Sequence, residues 1–112
     1  MNEWDVVFDR GTEPTGVPVL AVAGEVDLAV AERFAAELSA VIAEAQHAAV
    51  VDLSGVAFID SSGVRELLLA NRRTVEAGGM LVLRAPSPAC RRVLEISGVM
   101  GEFVLDDGVG RD

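Results

Sequence analysis

Short apolar runs that favour β-strands alternate along this chain with segments of helical periodicity, and no other sequence feature constrains the fold as strongly. Strands are predicted at residues 4–9, 17–24, 48–52, 80–85 and 102–107, and helices after Asp27, from Ser61 or Ser62 to residue 77, and at residues 89–96. Right-handed crossovers would make successive later strands parallel, and the first two strands would form an antiparallel hairpin. The order β-β-α-β-α-β-α-β therefore predicts an α/β fold with a mixed sheet packed against helices.

Each of the two longer predicted helices carries one apolar stripe. The first stripe consists of Val30, Phe34, Leu38, Val41, Ile42 and Ala45, and the second of Val64, Leu67, Leu68, Asn71 and Val75. Gly78 and Gly79 end the second helix, because glycine readily adopts the left-handed backbone of a C-terminal cap. Ahead of that helix, the sequence predicts a turn at Ser54 and Gly55 and then a short apolar approach to Asp60.

The composition is that of one acidic domain with an aliphatic core. The 112 residues suffice for a single domain, with its core predicted at about residues 4–106 and a loose tail at 107–112. Hydrophobic residues make up 51% of the chain and aromatic residues only 4%. The formal net charge is −9 and the chain has no lysine, so nucleic acid is disfavoured as a partner.

Targeting signals and cysteine content indicate a cellular location. The N-terminal segment is acidic where a signal peptide is basic, and no apolar run approaches the ~20 residues of a membrane span. We therefore expect a cytoplasmic protein that has no membrane partner. Cys90 is the only cysteine, which excludes an internal disulfide and fits a reducing compartment. We expect Cys90 in the core or at a helix start, with a reactive thiol as the alternative.

Two predicted turns lie at the sheet edge where parallel strands end, which is where α/β proteins place their functional residues. They are residues 24–27 and 60–63. The second turn contains the adjacent Ser61 and Ser62, between Asp60 and Gly63. The serine hydroxyls there could cap a helix, attack a substrate or accept a phosphate.

A nucleophilic serine finds little support in this sequence. Ile59 stands where a nucleophile elbow has its first glycine, and His47, the only histidine, precedes the serines instead of following them. We interpret His47 as a solvated helix-end residue. Asp27, Asp52 and Asp60 could hold a hard cation such as magnesium, whereas a transition metal would need further histidine or cysteine ligands. The enzyme interpretation therefore has few residues to support it.

Capping and phosphorylation both fit the serine pair. Asp60, Ser61 and Ser62 are all good N-cap residues, but one cap suffices and does not explain two hydroxyls. A phosphate at the helix N-terminus would be tolerated by the free amides and positive dipole end of its own helix. It would add roughly −1.5 to −2 charges beside Asp60, so a docked partner would meet a concentrated anionic spot. Such a modification could break an interface and leave the fold intact.

The segment VVDLSGVAFIDSSGVRELL, residues 50–68, resembles the signature of the STAS-domain anti-sigma factor antagonists, the bacterial anti-anti-sigma factors. In that family, a strand ending in D-L-S is followed by D-S-[ST]-G at the start of a helix. The resemblance extends to AGEVDLAVAERF, residues 23–34, and to GGMLVLRAPSPACRRVLEISGV, residues 78–99. It covers about residues 4–106 and implies a single STAS domain.

The resemblance implies a phosphorylation switch. The unphosphorylated protein would bind an anti-sigma factor that is also a serine kinase, and so free a sigma factor. The kinase would phosphorylate Ser61, with Ser62 as the alternative, and the complex would dissociate. A serine phosphatase of the metal-dependent type would reset the protein. The kinase brings ATP and magnesium, so this chain would need no cofactor, and Asp27 and Asp60 match acidic positions that flank the phosphorylated serine in the family.

The chain departs from the family pattern after the serines. Many members read S-S-G-L-G, whereas this chain has Val64 and Arg65 after Gly63. At helical spacing Ser61, Arg65, Leu69 and Arg72 share one stripe, and we predict that this stripe contacts the partner. An ordinary solvated face is the alternative. The complete predicted partner-binding set is Asp27, Asp60, Ser61, Ser62, Gly63, Arg65, Leu69 and Arg72.

Three questions stay open at this point. Arg65 could bind the phosphate on Ser61 within the same molecule. The protein could instead be a STAS interaction module of another signalling or lipid-transport complex without a kinase switch. Monomers and homodimers are both compatible with the sequence, and members often carry a further C-terminal helix that the final residues here do not offer.

Overall fold

The computed structural model describes residues 6–107, which form a five-stranded sheet in the order β1-β2-β3-β4-β5. The strands are β1 (Val6–Thr12), β2 (Pro18–Val26), β3 (Ala48–Ile59), β4 (Met80–Arg84) and β5 (Val104–Asp106). Strands β1 and β2 pair antiparallel, and every later pair of neighbours is parallel. The predicted mixed sheet with an N-terminal hairpin is confirmed.

The parallel strands are connected by α1 (Ala31–Glu44), α2 (Ser61–Glu76) and α3 (Pro88–Ile96). Two short 3-10 helices, Leu28–Val30 and Met100–Glu102, precede α1 and β5. The side chain of Ser87 caps α3 by accepting a hydrogen bond from the Cys90 amide. No helix among residues 6–107 is long and apolar enough to cross a membrane.

One aliphatic core joins the helices to the sheet. The apolar stripe predicted for the first helix is confirmed by the burial of Val30, Phe34, Leu38 and Val41. The buried residues of α2 are Gly63, Val64, Leu67, Ala70, Asn71 and Thr74. Val75 was predicted on this stripe, but that prediction was wrong, because its side chain is 59% exposed. The core-facing residues in this part of α2 are Ala70, Asn71 and Thr74.

The predicted turn at Ser54 and Gly55 is also wrong, because β3 runs without interruption for 12 residues. The pairing of β3 with β2 shifts register between Ala21 and Ala23, opposite this point. A Cβ at Gly55 would lie 2.8 Å from the Cβ of Ala23, so the two strands approach too closely there for a side chain. Gly55 therefore marks a bulge within a strand.

The remaining element boundaries differ from the predictions by a few residues. β1 continues to Thr12 because its pairing with β2 extends to Pro18, whereas residues 4 and 5 lie outside the described range. Gly78 has φ +85°, which confirms the left-handed end of α2. In the predicted tail, Asp107 accepts a hydrogen bond from Arg91, and residues 108–112 lie outside the described range.

Candidate functional site

The candidate site lies where the parallel strands β2 and β3 end side by side. Val26 and Ile59 are partners in the sheet register, and each is the last residue of its strand. The next residue in each case is an aspartate, Asp27 or Asp60. The amide of Asp60 donates to the carbonyl of Val26 at 3.1 Å, which ties the two turns together. The two turns predicted to share one edge of the sheet are therefore adjacent.

Asp60 caps α2. Its side-chain Oδ1 accepts hydrogen bonds from the amides of Ser62 at 2.9 Å and Gly63 at 3.4 Å. Its backbone carbonyl accepts the first intrahelical bond, from Val64. A carboxylate in this position satisfies two amides that the helix leaves free and also interacts favourably with the positive end of the helix dipole. Of the three predicted N-cap candidates, Asp60 is the cap.

Asp27 caps the neighbouring turn in a different way. Its Oδ1 accepts one hydrogen bond, from the amide of Ala29 at 3.0 Å. The following residues, Leu28–Val30, form a 3-10 helix before α1 begins. Asp27 was predicted to cap the first helix. It caps the 3-10 helix that precedes α1, which is a tighter turn than an α-helix.

Gly63 holds the start of α2 against the strand ends. A Cβ at this position would lie 2.7 Å from Cγ1 of Ile59 and 2.8 Å from Cγ1 of Val26. Both contacts are closer than carbon atoms tolerate, and Ile59 and Val26 are almost fully buried. Gly63 is therefore a packing residue, and any side chain there would push the serine turn away from the sheet.

The two serines differ in exposure. Ser61 is exposed, and its hydroxyl makes no hydrogen bond within residues 6–107, whereas Ser62 is half-buried. An enzyme or partner approaching this edge would reach the hydroxyl of Ser61 more easily. Neither serine caps α2, because Asp60 does so.

Three of the amides at the start of α2 are already occupied, whereas the sequence led us to expect amides free for a phosphate. The amides of Ser62 and Gly63 already donate to Asp60, and that of Val64 donates to the Asp60 carbonyl. Among these first amides, a phosphate on Ser61 would therefore find only that of Ser61 itself without an acceptor in the described residues, unless it displaced the Asp60 carboxylate.

The residues required for other chemistry lie apart from this site. His47 immediately precedes β3, at the opposite end of the strand from Ser61, which separates them by on the order of 35 Å at the usual rise per residue. Within residues 6–107 no three His, Cys, Asp or Glu side chains are grouped so that they could hold a metal ion. Asp52, one of the three predicted cation ligands, accepts hydrogen bonds from the amide and hydroxyl of Ser54.

Cys90 lies in the core, as one of its two interpretations predicted. It is fully buried, and burial raises the pKa of its thiol to about 11, an effect that the nearby charge of Arg91 only partly opposes. The thiol is thus protonated at neutral pH and inaccessible. This is the environment of an inert structural cysteine.

The predicted stripe on α2 is exposed along its length. Arg65 and Arg72 are both exposed, and Leu69 is 38% exposed. Arg72 makes an exposed ion pair with Glu102 at 3.5 Å, which continues this surface beyond the helix. Such a pair contributes little to stability, so it leaves Arg72 able to contact a partner.

Two exposed apolar residues at this edge were not found from the sequence. Leu28, in the turn after Asp27, is 76% exposed, and Phe58, one residue before the end of β3, is 48% exposed. The signal for Leu28 was present, since it stands off the apolar stripe of the first helix. Aromatic side chains are enriched in protein interfaces, so Phe58 is a further candidate contact for a partner at this edge.

Comparisons with known proteins agree with this geometry. A family profile described as "Mlab, STAS domain" matches residues 12–106. The chain belongs to the STAS-domain family. An anti-sigma F factor antagonist of Lysinibacillus sphaericus is 37% identical to it over 90 residues, which cover 79% of this chain and 75% of the relative.

Solved structures show the same likeness. A crystal structure of an anti-sigma factor antagonist from Mycobacterium paratuberculosis matches with a TM-score of 0.81 and 28% identity, covering 94% of this chain and 88% of the other. The phosphorylated form of SpoIIAA, described as a Bacillus cell fate determinant, matches with a TM-score of 0.66 and 27% identity, covering 88% and 90%. This STAS chain thus has anti-sigma factor antagonists among its relatives in both sequence and structure.

Proposed function

We propose that this protein is an anti-sigma factor antagonist that is switched by phosphorylation of Ser61. The unphosphorylated form binds an anti-sigma factor that is also a serine kinase, and this binding frees a sigma factor. Phosphorylation releases the kinase, and a serine phosphatase of the metal-dependent type restores the binding form. The protein acts in the cytoplasm as a binding partner and not as an enzyme.

The observation that carries this proposal is the exposure of Ser61 at the paired strand ends. Its hydroxyl is exposed and has no partner within the described residues, and capping, which could otherwise occupy it, is performed by Asp60. Ser62, the alternative acceptor, is half-buried. The phosphorylated form of a structural neighbour, SpoIIAA, gives independent support to a phosphate on this fold.

The transfer uses ATP that the kinase supplies. The Oγ atom of Ser61 attacks the γ-phosphorus, the bond from that phosphorus to the bridging oxygen of ADP breaks, and the hydroxyl proton passes to a base of the kinase. The added phosphate would lie beside the Asp60 carboxylate and across the strand ends from Asp27. A partner seated on this edge would then face three anionic groups, and the complex would weaken by repulsion and desolvation.

The partner surface in this proposal includes the two turns and the exposed stripe of α2. Its polar part consists of Asp27, Asp60, Ser61, Ser62, Arg65 and Arg72, with Gly63 keeping the turn in place and Leu69 as an apolar contact. Leu28 and Phe58 extend the apolar part. The half-buried Asp27 and Asp60 would act chiefly through the shape and charge of the turns.

Incubation with the cognate anti-sigma kinase and ATP, followed by peptide mass spectrometry, tests the phosphorylation. We expect a single phosphate on Ser61, none in Ser61→Ala, and an unchanged product in Ser62→Ala, the matched control. Phosphate retained in Ser61→Ala and lost in Ser62→Ala would transfer the role to Ser62. No phosphate on either serine would favour a STAS module of another signalling or lipid-transport complex.

Binding measurements with the same kinase test the switch itself. Ser61→Ala should bind constitutively in the presence of ATP, whereas Ser61→Asp should bind at least tenfold more weakly, a change of about 1.4 kcal/mol or more. Ser62→Asp serves as the control for added charge at the half-buried position, and its fold should be checked by circular dichroism. Equal affinity of Ser61→Ala and Ser61→Asp would contradict a charge-based switch.

A further inference from the structure

The guanidinium of Arg65 has no partner within residues 6–107, unlike those of most arginines in that range. Of the eight arginines within residues 6–107, six make an ion pair, a hydrogen bond or a contact with an aromatic ring: Arg10, Arg33, Arg72, Arg73, Arg84 and Arg91. Within the same range, Arg65 and Arg92 have none. Arg65 is exposed on the first turns of α2, so its side chain is available at the candidate site.

The position of Arg65 relative to Ser61 suits a direct interaction. The two residues are four apart on α2, which places their Cβ atoms about 5–6 Å from each other on the same face of the helix. Side chains on a helix generally point back toward its N-terminus, so the long arginine side chain can reach toward Ser61. A phosphate on Ser61 would lie within reach of the guanidinium, which can bind two phosphate oxygens at once.

Competing ligands for that phosphate are largely occupied. The amides of Ser62 and Gly63 donate to the Asp60 carboxylate, and that of Val64 donates to the Asp60 carbonyl. Asp27 and Asp60, the charged groups at the adjacent turns, are both anionic and would repel the phosphate. Arg65 is the cation that the helix itself brings to the phosphate.

We propose that Arg65 is the intramolecular ligand of the phosphate on Ser61 and thereby sets the charge that the phosphorylated turn presents. This inference depends on the proposed phosphorylation of Ser61, but its consequence can be measured without any kinase. A guanidinium beside the phosphate favours the dianion over the monoanion, because the dianion gains the larger attraction. Phosphorylation would also engage Arg65 and so remove it from the surface offered to a partner.

The test uses full-length protein into which phosphoserine is incorporated at position 61 during translation. Titration followed by ³¹P NMR then gives the second pKa of the phosphate, which is near 6 when unperturbed. We expect this pKa to be lower by about half a unit in the wild-type sequence than in Arg65→Gln, the magnitude of an exposed ion pair. Arg65→Lys should give an intermediate value, since it retains the charge without the planar fork.

Two controls make the result specific. Arg92→Gln removes the other described arginine that has no partner, and its phosphate should titrate as in the wild-type sequence. Raising the salt concentration to about 1 M should reduce the difference between the wild-type sequence and Arg65→Gln, because exposed pairs are screened. Circular dichroism confirms that each variant is folded, and Arg65→Lys remains informative if Arg65→Gln is unstable.

Identical phosphate titrations in the wild-type sequence and in Arg65→Gln, within about 0.1 unit, would overturn the inference. That result would leave the proposed function untouched, because Ser61 could still be phosphorylated and release a partner. Conversely, a cognate kinase that never modifies Ser61 would contradict the proposed function, while the titration would still report whether Arg65 binds a phosphate at that position.

Discussion

The turns that follow β2 and β3 start from the same arrangement and end differently. Each follows the last residue of a parallel strand, and each begins with an aspartate that caps what comes next. After Asp27, the chain forms a 3-10 helix with an exposed leucine, and Val30 enters the core. After Asp60, the chain enters an α-helix directly, with an exposed serine, and Gly63 lies against the strands.

The difference shows how one local motif serves two purposes. Aspartate satisfies free amides in both turns, one in the first and two in the second. The third residue after each aspartate differs as well, because the side chain of Val30 is buried in the core whereas Gly63 leaves no space for a side chain. Close packing at Gly63 fixes the position of the serine turn, whereas the 3-10 turn after Asp27 leaves Leu28 exposed. The first turn supplies an apolar contact and the second a modifiable hydroxyl.

The largest effect is expected from giving the second turn the side chain of the first. Gly63→Val should lower the free energy of unfolding by about 2–3 kcal/mol, because new methyl groups would overlap Ile59 and Val26. Gly11→Val is the matched control, since a Cβ at Gly11 has nothing within 4 Å. Urea denaturation measures both variants. Equal stability of the two would mean that the second turn is not held by close packing.

The exposed stripe of α2, which begins at the second turn, should contribute more to partner binding than to folding stability. Replacing Leu69 and Arg72 together by alanine should weaken binding to the anti-sigma factor at least tenfold, about 1.4 kcal/mol, with stability nearly unchanged. Glu102→Ala, which removes only the ion-pair partner of Arg72, controls for loss of that pair. Isothermal titration calorimetry gives the affinities. Unchanged affinity in the double variant would reduce this stripe to an ordinary solvated face.

The exposed leucine of the first turn should have a smaller effect of the same kind. Leu28→Ala is expected to weaken the complex about fivefold, close to 1 kcal/mol, because the partner would lose an apolar contact near Ser61. Ile96→Ala is the matched control, since Ile96 is 75% exposed but lies at the end of α3. If Leu28→Ala and Ile96→Ala bind the partner with equal affinity, Leu28 does not contact the partner.

The two aspartate caps should contribute unequally to stability. Asp60→Ala should lower the free energy of unfolding by about 1–1.5 kcal/mol, and Asp27→Ala by about 0.5 kcal/mol, since the first loses hydrogen bonds to two amides and the second to one. Asn at each position retains the acceptor and should recover most of the loss. Thermal unfolding of the four variants decides whether the second cap is the stronger. A larger loss of stability in Asp27→Ala than in Asp60→Ala would show that the number of hydrogen bonds does not determine how much each cap stabilises the protein.

Much of the site was predictable from local sequence. The serine pair next to an aspartate, the apolar stripe of the first helix and the glycine after the second helix all depend on residues within a few positions of each other. Asp60 as a cap candidate followed from the same kind of information. The adjacency of the two turns required one further step, the rule that parallel strands end at a common edge.

What local sequence missed depends on contacts between distant residues. Ser54 and Gly55 have turn-forming composition, yet Gly55 is in a strand because it passes close to Ala23 on the neighbouring strand. Val75 fits a helical stripe by spacing, but it lies outside the buried face of α2, on which Thr74 is the inward residue of the last turn. Leu28 was missed although it stands off the apolar stripe of the first helix, and its side chain is 76% exposed.

The sequence by itself determined the order of strands and helices, the chemistry of the Asp60–Gly63 turn and the resemblance to a known family. These follow from hydrogen bonding and side-chain preferences over one or two helical turns. Only the tertiary structure decided that Asp60 occupies the amides expected for a phosphate, that Ser61 is exposed while Ser62 is half-buried, and that Gly63 has no room for a side chain. The physical reason is that the pairing of Val26 with Ile59, residues 33 positions apart in sequence, sets how closely α2 approaches the sheet.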